Sequence, residues 1–143
     1  MEPSRKTLMM VLSRTQRAWV QHMRKCALEV GIPESYRMII MYLSRHPGAN
    51  QKMMAEFSGK TTAAINQTVK EMVADGFARK ETDASDGRCS KLFLTEAGNE
   101  KAEQLLRRLH QSDEKITEAI GEDKEQELIA LLASLHTVIR EDL

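Results

Sequence analysis

A mainly α-helical fold carrying one small β-hairpin is the class this sequence predicts, and three observations predict it. Ile65, Val69 and Met72 fall at i, i+4 and i+7, so they stack along one side of a helix. Directly after it come two short runs, Phe77 to Thr82 and Cys89 to Leu94, separated by a loop whose Asp86-Gly87 pair marks a tight turn. In the second run Leu92 and Leu94 share one face, and Lys91 and Phe93 the other. Long helical patterns flank this central segment on both sides. Helix, hairpin, helix in that order describes a winged helix, which suggests DNA binding.

Each element has its own local justification. Met9, Leu12, Trp19, Met23, Cys26 and Val30 recur at nearly heptad spacing along an N-terminal helix, with Gln16 interrupting the series. Ile32-Pro33 starts a short helix whose apolar positions are Met38, Ile39, Tyr42 and Leu43, and His46-Pro47-Gly48 stops it. Asn50 caps the next helix, Gln51 to Ser58, in which Met54, Ala55 and Phe57 face inward, and Gly59 marks the turn that follows. Helix, short turn, helix at this spacing is the helix-turn-helix signature. Gly76 closes the second of these helices, where a left-handed residue is cheapest. After the hairpin, Thr95 offers a capping oxygen and Glu96 sits in a first turn that favours negative charge. Ala102, Leu105, Leu109, Ile116 and Ile120 continue that helix, interrupted by Ser112, and beyond Gly121 a last helix carries Leu128, Leu131, Leu132, Leu135, Val138 and Ile139. Together the chain ends hold more apolar surface than one copy easily covers, which predicts a homodimer formed through them.

Composition sets the frame. A chain of 143 residues with 41% hydrophobic content suffices for one compact domain, and with only 4% aromatics and nine methionines its core is helical and aliphatic. No stretch approaches the roughly 18 uninterrupted apolar residues of a membrane helix, and charge breaks the N-terminal apolar runs too early for a signal peptide, so a cytoplasmic location is expected. Cys26 and Cys89 form no CxxC pair and predict neither a disulfide framework nor a zinc knuckle. Net charge is zero, yet residues 1–94 hold 15 Lys and Arg against 9 Asp and Glu, while residues 95–143 hold 6 against 12. A local basic surface binds phosphate whatever the total charge. Within residues 45–91 the surplus is two, so non-specific affinity for DNA should be modest.

Other chemistry finds little support. His22, His46, His110 and His136 show no metal-ligand spacing, and neither a nucleophile elbow nor a dinucleotide motif is present, so no enzyme activity, metal or cofactor is expected. Ser58-Gly59-Lys60-Thr61 ends like a phosphate-binding loop but has Met54 where the pattern needs glycine. Asn66-Gln67-Thr68 fits a glycosylation acceptor that a cytoplasmic protein never uses.

The outward face of the helix after Gly59 carries Ala63, Asn66, Gln67 and Lys70, small or hydrogen-bonding groups suited to base edges in a major groove. With Pro47-Gly48-Ala49-Asn50, Met54-Ala55, Val69 to Gly76, Asp86-x-Arg88 and Leu94-Thr95-x-x-Gly98, the chain resembles the MarR family of bacterial regulators over nearly its full length. The resemblance implies a single domain over 1–143, with 1–31 and 96–143 as dimerisation helices around a winged helix-turn-helix lobe at 33–95. It implies a homodimeric repressor on a palindromic double-stranded DNA operator. Lys60, Thr62, Ala63, Asn66, Gln67 and Lys70 would then lie at or near the major groove, and Ser85, Asp86 and Arg88 in the wing at the minor groove. It further implies a small-molecule ligand, aromatic or anionic, for which Trp19, His22, Met23, Tyr36 and Arg37 are the candidate contacts. The sequence departs from the family pattern at Gly87, where a basic residue is common, at Ser58 and Lys60, where apolar residues are usual, and at Gln67, where arginine is frequent. Two competing readings stay open: a winged-helix adaptor that binds protein, and a redox-sensing regulator acting through Cys26 or Cys89.

Overall fold

The structure, a computed structural model, describes residues 7–82 and 90–143. Among them are six helices and two strands: α1 (Leu8–Glu29), α2 (Glu34–Arg45), α3 (Gln51–Ser58), α4 (Thr62–Ala74), β1 (Ala78–Thr82), β2 (Ser90–Leu94), α5 (Glu96–Ile120) and α6 (Glu122–Glu141). The mainly α class with a β-hairpin is therefore the observed one. Residues up to Leu106 form one compact unit, and Arg107–Leu143 a second.

Local chemistry sets the ends of the helices. The side chains of Thr7, Asn50 and Thr61 accept from the backbone N–H groups of Met10, Met53 and Ala64 at 3.3, 2.9 and 3.1 Å, which satisfies donors that the first turns of α1, α3 and α4 leave orphaned. Gly59 ends α3 at φ 70°. Gly76 has φ 81°, with its N–H on the Val73 carbonyl and the Phe77 N–H reaching back to the Met72 carbonyl at 2.9 Å, the paired bonds of a Schellman motif. That motif corrects one boundary. Phe77 belongs to the cap of α4, so β1 begins at Ala78.

Inside the first unit the apolar faces meet. Ile32, Ile39, Ile40, Leu43, Met54, Ile65, Val69, Met72, Leu92, Ala102 and Leu105 are all at most 3% exposed. A buried side chain of the Val, Leu, Ile or Met type contributes about 1.5–3 kcal/mol, so this cluster is the main source of the unit's stability. The hairpin is antiparallel, with Ala78 opposite Leu94 and Thr82 opposite Ser90. It is tied to the helices where Gly48 N–H donates to the Leu92 carbonyl at 2.8 Å and Leu92 N–H donates to the Ala49 carbonyl at 2.9 Å. As expected, Leu92 and Leu94 point inward while Lys91 is exposed. Phe57 does not face inward. It is 62% exposed and stacks on Tyr42 at 4.8 Å, because the short α3 is already anchored by Met54 and its last turn projects past the core.

The Leu94-Thr95-x-x-Gly98 motif has a physical cause in the junction between hairpin and α5. Thr95 Oγ1 accepts from the Gly98 N–H at 3.2 Å and donates to the Gly76 carbonyl at 2.5 Å, while Thr95 N–H donates to the Phe77 carbonyl at 3.0 Å. A Cβ on residue 98 would sit 2.1 Å from that Phe77 oxygen. Only glycine lets the helix start so close to another backbone.

In the second unit, Gly121 turns the chain at φ 89° between α5 and α6, and Thr117 Oγ1 donates to Glu125 Oε2 at 2.7 Å across the turn. Glu122, Asp123 and Glu125 occupy the first turn of α6, where the helix dipole favours acids. No residue of α6 is buried, and Leu128, Leu131, Leu132 and Val138 are 46, 61, 42 and 43% exposed.

Candidate nucleic-acid interface

α3, the turn at Gly59 and α4 form the helix-turn-helix, and burial of Ile65, Val69 and Met72 fixes which way α4 is rotated. Thr62, Ala63, Gln67 and Lys70 are consequently exposed, and so is Lys60 in the turn before α4. Asn66 is half-buried on the flank facing α3, where its Oδ1 accepts from Gln51 Nε2 at 3.1 Å. Gln67 Nε2 donates along the helix to Glu71 Oε1 at 3.1 Å. Both amides are therefore oriented before any partner arrives, one across the helix pair and one along α4. Gln51 was not among the candidates from sequence, and its only local signal was its place directly after the capping Asn50.

On the hairpin, Lys80 and Lys91 are exposed, and Arg79 lies 4.5 Å above the Phe93 ring while pairing with Glu81. Phe93 in turn lies against Gly48, where a Cβ would come 3.4 Å from the ring. Ser85, Asp86 and Arg88, together with Gly87 and Cys89, lie outside the described residues.

The five candidate ligand contacts fall into three separate sets of contacts. Trp19 is tilted against His22 at 5.6 Å, and His22 Nε2 lies 3.4 Å from the Cys26 thiol, which is fully buried; Met23 is half-buried on the same helix. Tyr36 is 4% exposed, packs edge-on to Phe77 at 6.1 Å, and donates its hydroxyl to Asp75 Oδ2 at 2.5 Å. This ties α2 to the C-cap residue of α4. The hydrogen bond to Asp75, then burial, then the negative charges of Asp75 and Glu71 push the Tyr36 phenol up to about 12. Arg37 reaches Glu34 at 3.6 Å, which also accepts from Arg24 at 2.9 Å, and the Arg37 Nε is buried with no hydrogen-bond partner among the described residues. A surface depression lined by Met38, Tyr42, Met54, Phe57 and Ile65 shares none of the five.

Among the described residues no group of His, Cys, Asp and Glu could hold a metal ion, and no helix is long and apolar enough to cross a membrane. What the geometry offers is a rigid helix pair with pre-oriented amides and nearby cations. Residues 30–88, which hold α2, the helix-turn-helix and β1, match the model of the MarR family. The chain is MarR-like. Over 90 residues, 60% of the chain, it is 28% identical to the uncharacterized HTH-type transcriptional regulator YwaE of Bacillus subtilis (strain 168), and the match spans 53% of that protein, so it covers about half the length of this curated relative. Among solved structures it superimposes on the transcriptional repressor CouR bound to a 23-mer DNA duplex with a TM-score of 0.79 and 21% identity, covering 91% of this chain and 92% of that one. A MarR transcriptional regulator from Methanosarcina mazei Go1 gives a TM-score of 0.78 at 18% identity over 93% of this chain and 96% of its own. At these identities the superpositions show that the MarR-like winged helix is the fold of the chain.

Proposed function

We propose that the chain is a homodimeric transcription regulator that binds double-stranded DNA and acts as a repressor whose affinity a small molecule changes. The observation that carries this is α4, a helix with one face locked into the core, the other bearing Thr62, Ala63, Gln67 and Lys70, and Asn66 half-buried on its flank, in a MarR-like helix-turn-helix. Such a face fits a major groove, where short polar groups reach base edges and lysines meet phosphate. Such a regulator works in the cytoplasm and performs no catalysis. Its dimer would form through the chain ends, because α6 leaves Leu128, Leu131 and Leu132 bare. Two recognition helices related by a two-fold axis would read half-sites of a palindrome about 10 bp apart, centre to centre. The Nε of Arg37, buried without a hydrogen-bond partner among the described residues, supports an anionic effector at that residue. Complete burial of the Cys26 thiol argues against redox sensing at that residue.

The test is selection of bound DNA from a genomic library with purified protein, followed by footprinting. A palindromic site protected on one face over roughly two turns is expected. Protection of one half-site by a monomer, or no selection at all, would sink the reading and favour a protein-binding adaptor. On the selected site, Gln67→Ala should cost about 1–3 kcal/mol, and Arg88→Ala should make the salt dependence shallower by about one charge per subunit if the wing meets phosphate.

A further inference from the structure

Residue type suggests that Asn66 reads adenine with both ends of its amide, the carbonyl accepting from N6 and the nitrogen donating to N7. The structure gives that carbonyl other work. Gln51, the first residue of α3, donates Nε2 to Asn66 Oδ1 at 3.1 Å, and both side chains are half-buried in the angle between the two helices. The pair is held from both sides. Asn50 caps α3 and Met54 anchors it, while Ile65, next to Asn66, is 2% exposed and sets the rotation of α4. An amide pair joined by one bond leaves two outward groups on different residues, the nitrogen of Asn66 as donor and the carbonyl of Gln51 as acceptor.

We propose that Gln51 and Asn66 act as one composite base reader, in which Gln51 positions Asn66 and the pair offers a donor and an acceptor to base edges in the major groove. This rests on the DNA-binding reading above. Its consequence is specific: preference at the base pair faced by Asn66 depends on a residue of the preceding helix. The donor suits an acceptor edge such as guanine O6 or N7 or thymine O4, and the acceptor suits an exocyclic amine such as cytosine N4 or adenine N6. Bidentate recognition of a single adenine by Asn66 alone would require the bond to Gln51 to break.

The experiment measures affinities for the selected site and for all its single-base variants, using wild type, Asn66→Ala, Gln51→Ala, Gln51→Met and the double alanine variant. Gln51→Met keeps the stem of the side chain and removes the amide, so it separates the hydrogen bond from packing, and thermal melting with low-salt binding to random DNA checks that each variant is folded. We expect Gln51→Ala and Gln51→Met to flatten base preference by about tenfold at the same base pair that Asn66→Ala flattens, and the double variant to lose no more than the worse single one. Additive losses, or preference at the Asn66 base pair that survives both Gln51 substitutions, would overturn the pairing while leaving DNA binding standing. Failure of the wild type to select any sequence would overturn both readings.

Discussion

In the unit ending at Leu106, Ile32, Ile40, Ile65 and Leu92 are at most 2% exposed, whereas in Arg107–Leu143 the leucines of α6 recur at the same helical spacing and Leu131 is 61% exposed. Periodicity is as clear in α6 as in α4, and it records only that a face needs cover. Whether the same chain supplies that cover depends on what packs against it. In the lobe, helices and hairpin close around one cluster. In α6 nothing is buried, and the chain beyond Leu94 is acidic, with 6 Lys and Arg against 12 Asp and Glu.

The contrast can be broken most severely at Gly98 and Leu92. Gly98→Ala would force a Cβ to 2.1 Å from the Phe77 carbonyl, a backbone group that cannot swing aside, so the hairpin junction must shift. The expected cost is about 3 kcal/mol, and Leu92→Ala should cost about 2–5 kcal/mol by leaving a cavity in a fully packed site. Urea unfolding reads both. An unchanged midpoint for either would mean that the lobe is not the rigid half of the molecule.

Leu131→Glu tests the other half. In the proposed dimer it should raise the dissociation constant by roughly 100-fold, equivalent to about 2.7 kcal/mol, yet leave unfolding of the separated chain nearly unchanged because Leu131 is already in water. Sedimentation equilibrium across a concentration series distinguishes these effects. A variant that dimerises as tightly as the wild type would remove α6 from the interface.

A smaller effect is expected at Tyr36, within the rigid lobe. Its phenol titrates near 10 in an unfolded chain and at about 12 in the folded one, so the native state holds its proton longer. Stability from this group is complete below pH 10 and is lost as pH rises from 10 toward 12. In an alkaline absorbance titration, Tyr36→Phe should remove a tyrosine step near pH 12 and cost about 1–2 kcal/mol at neutral pH. If the step near pH 12 survives in the variant, the Asp75 bond does not govern Tyr36.

Smallest of all, Gln67→Ala should change folding stability by less than about 0.5 kcal/mol, since its bond to Glu71 is an exposed i, i+4 pair. A larger loss in thermal melting would mean that Gln67 helps to hold the lobe together rather than waiting for a partner.

Short-range signals in the sequence determined most of the architecture. Asn50, Gly59, Gly76 and Thr95 announced caps and stops because capping bonds span only three to five residues, and the 3.6-residue period of Ile65, Val69 and Met72 assigned the inner face of α4. The opposite face gave Ala63, Gln67 and Lys70 as exposed, whereas Asn66, read onto that face too, is half-buried against α3. Tertiary structure decided what no local pattern encodes. It joined Tyr36 to Asp75 across 39 positions and Gln51 to Asn66 across 15, it turned Phe57 outward, and it explained Gly98 by the approach of Phe77. The reason is that a cap or a helical stripe is specified by neighbours along the chain, whereas the partner of a phenol or an amide is whichever group the packed helices bring within about 3 Å.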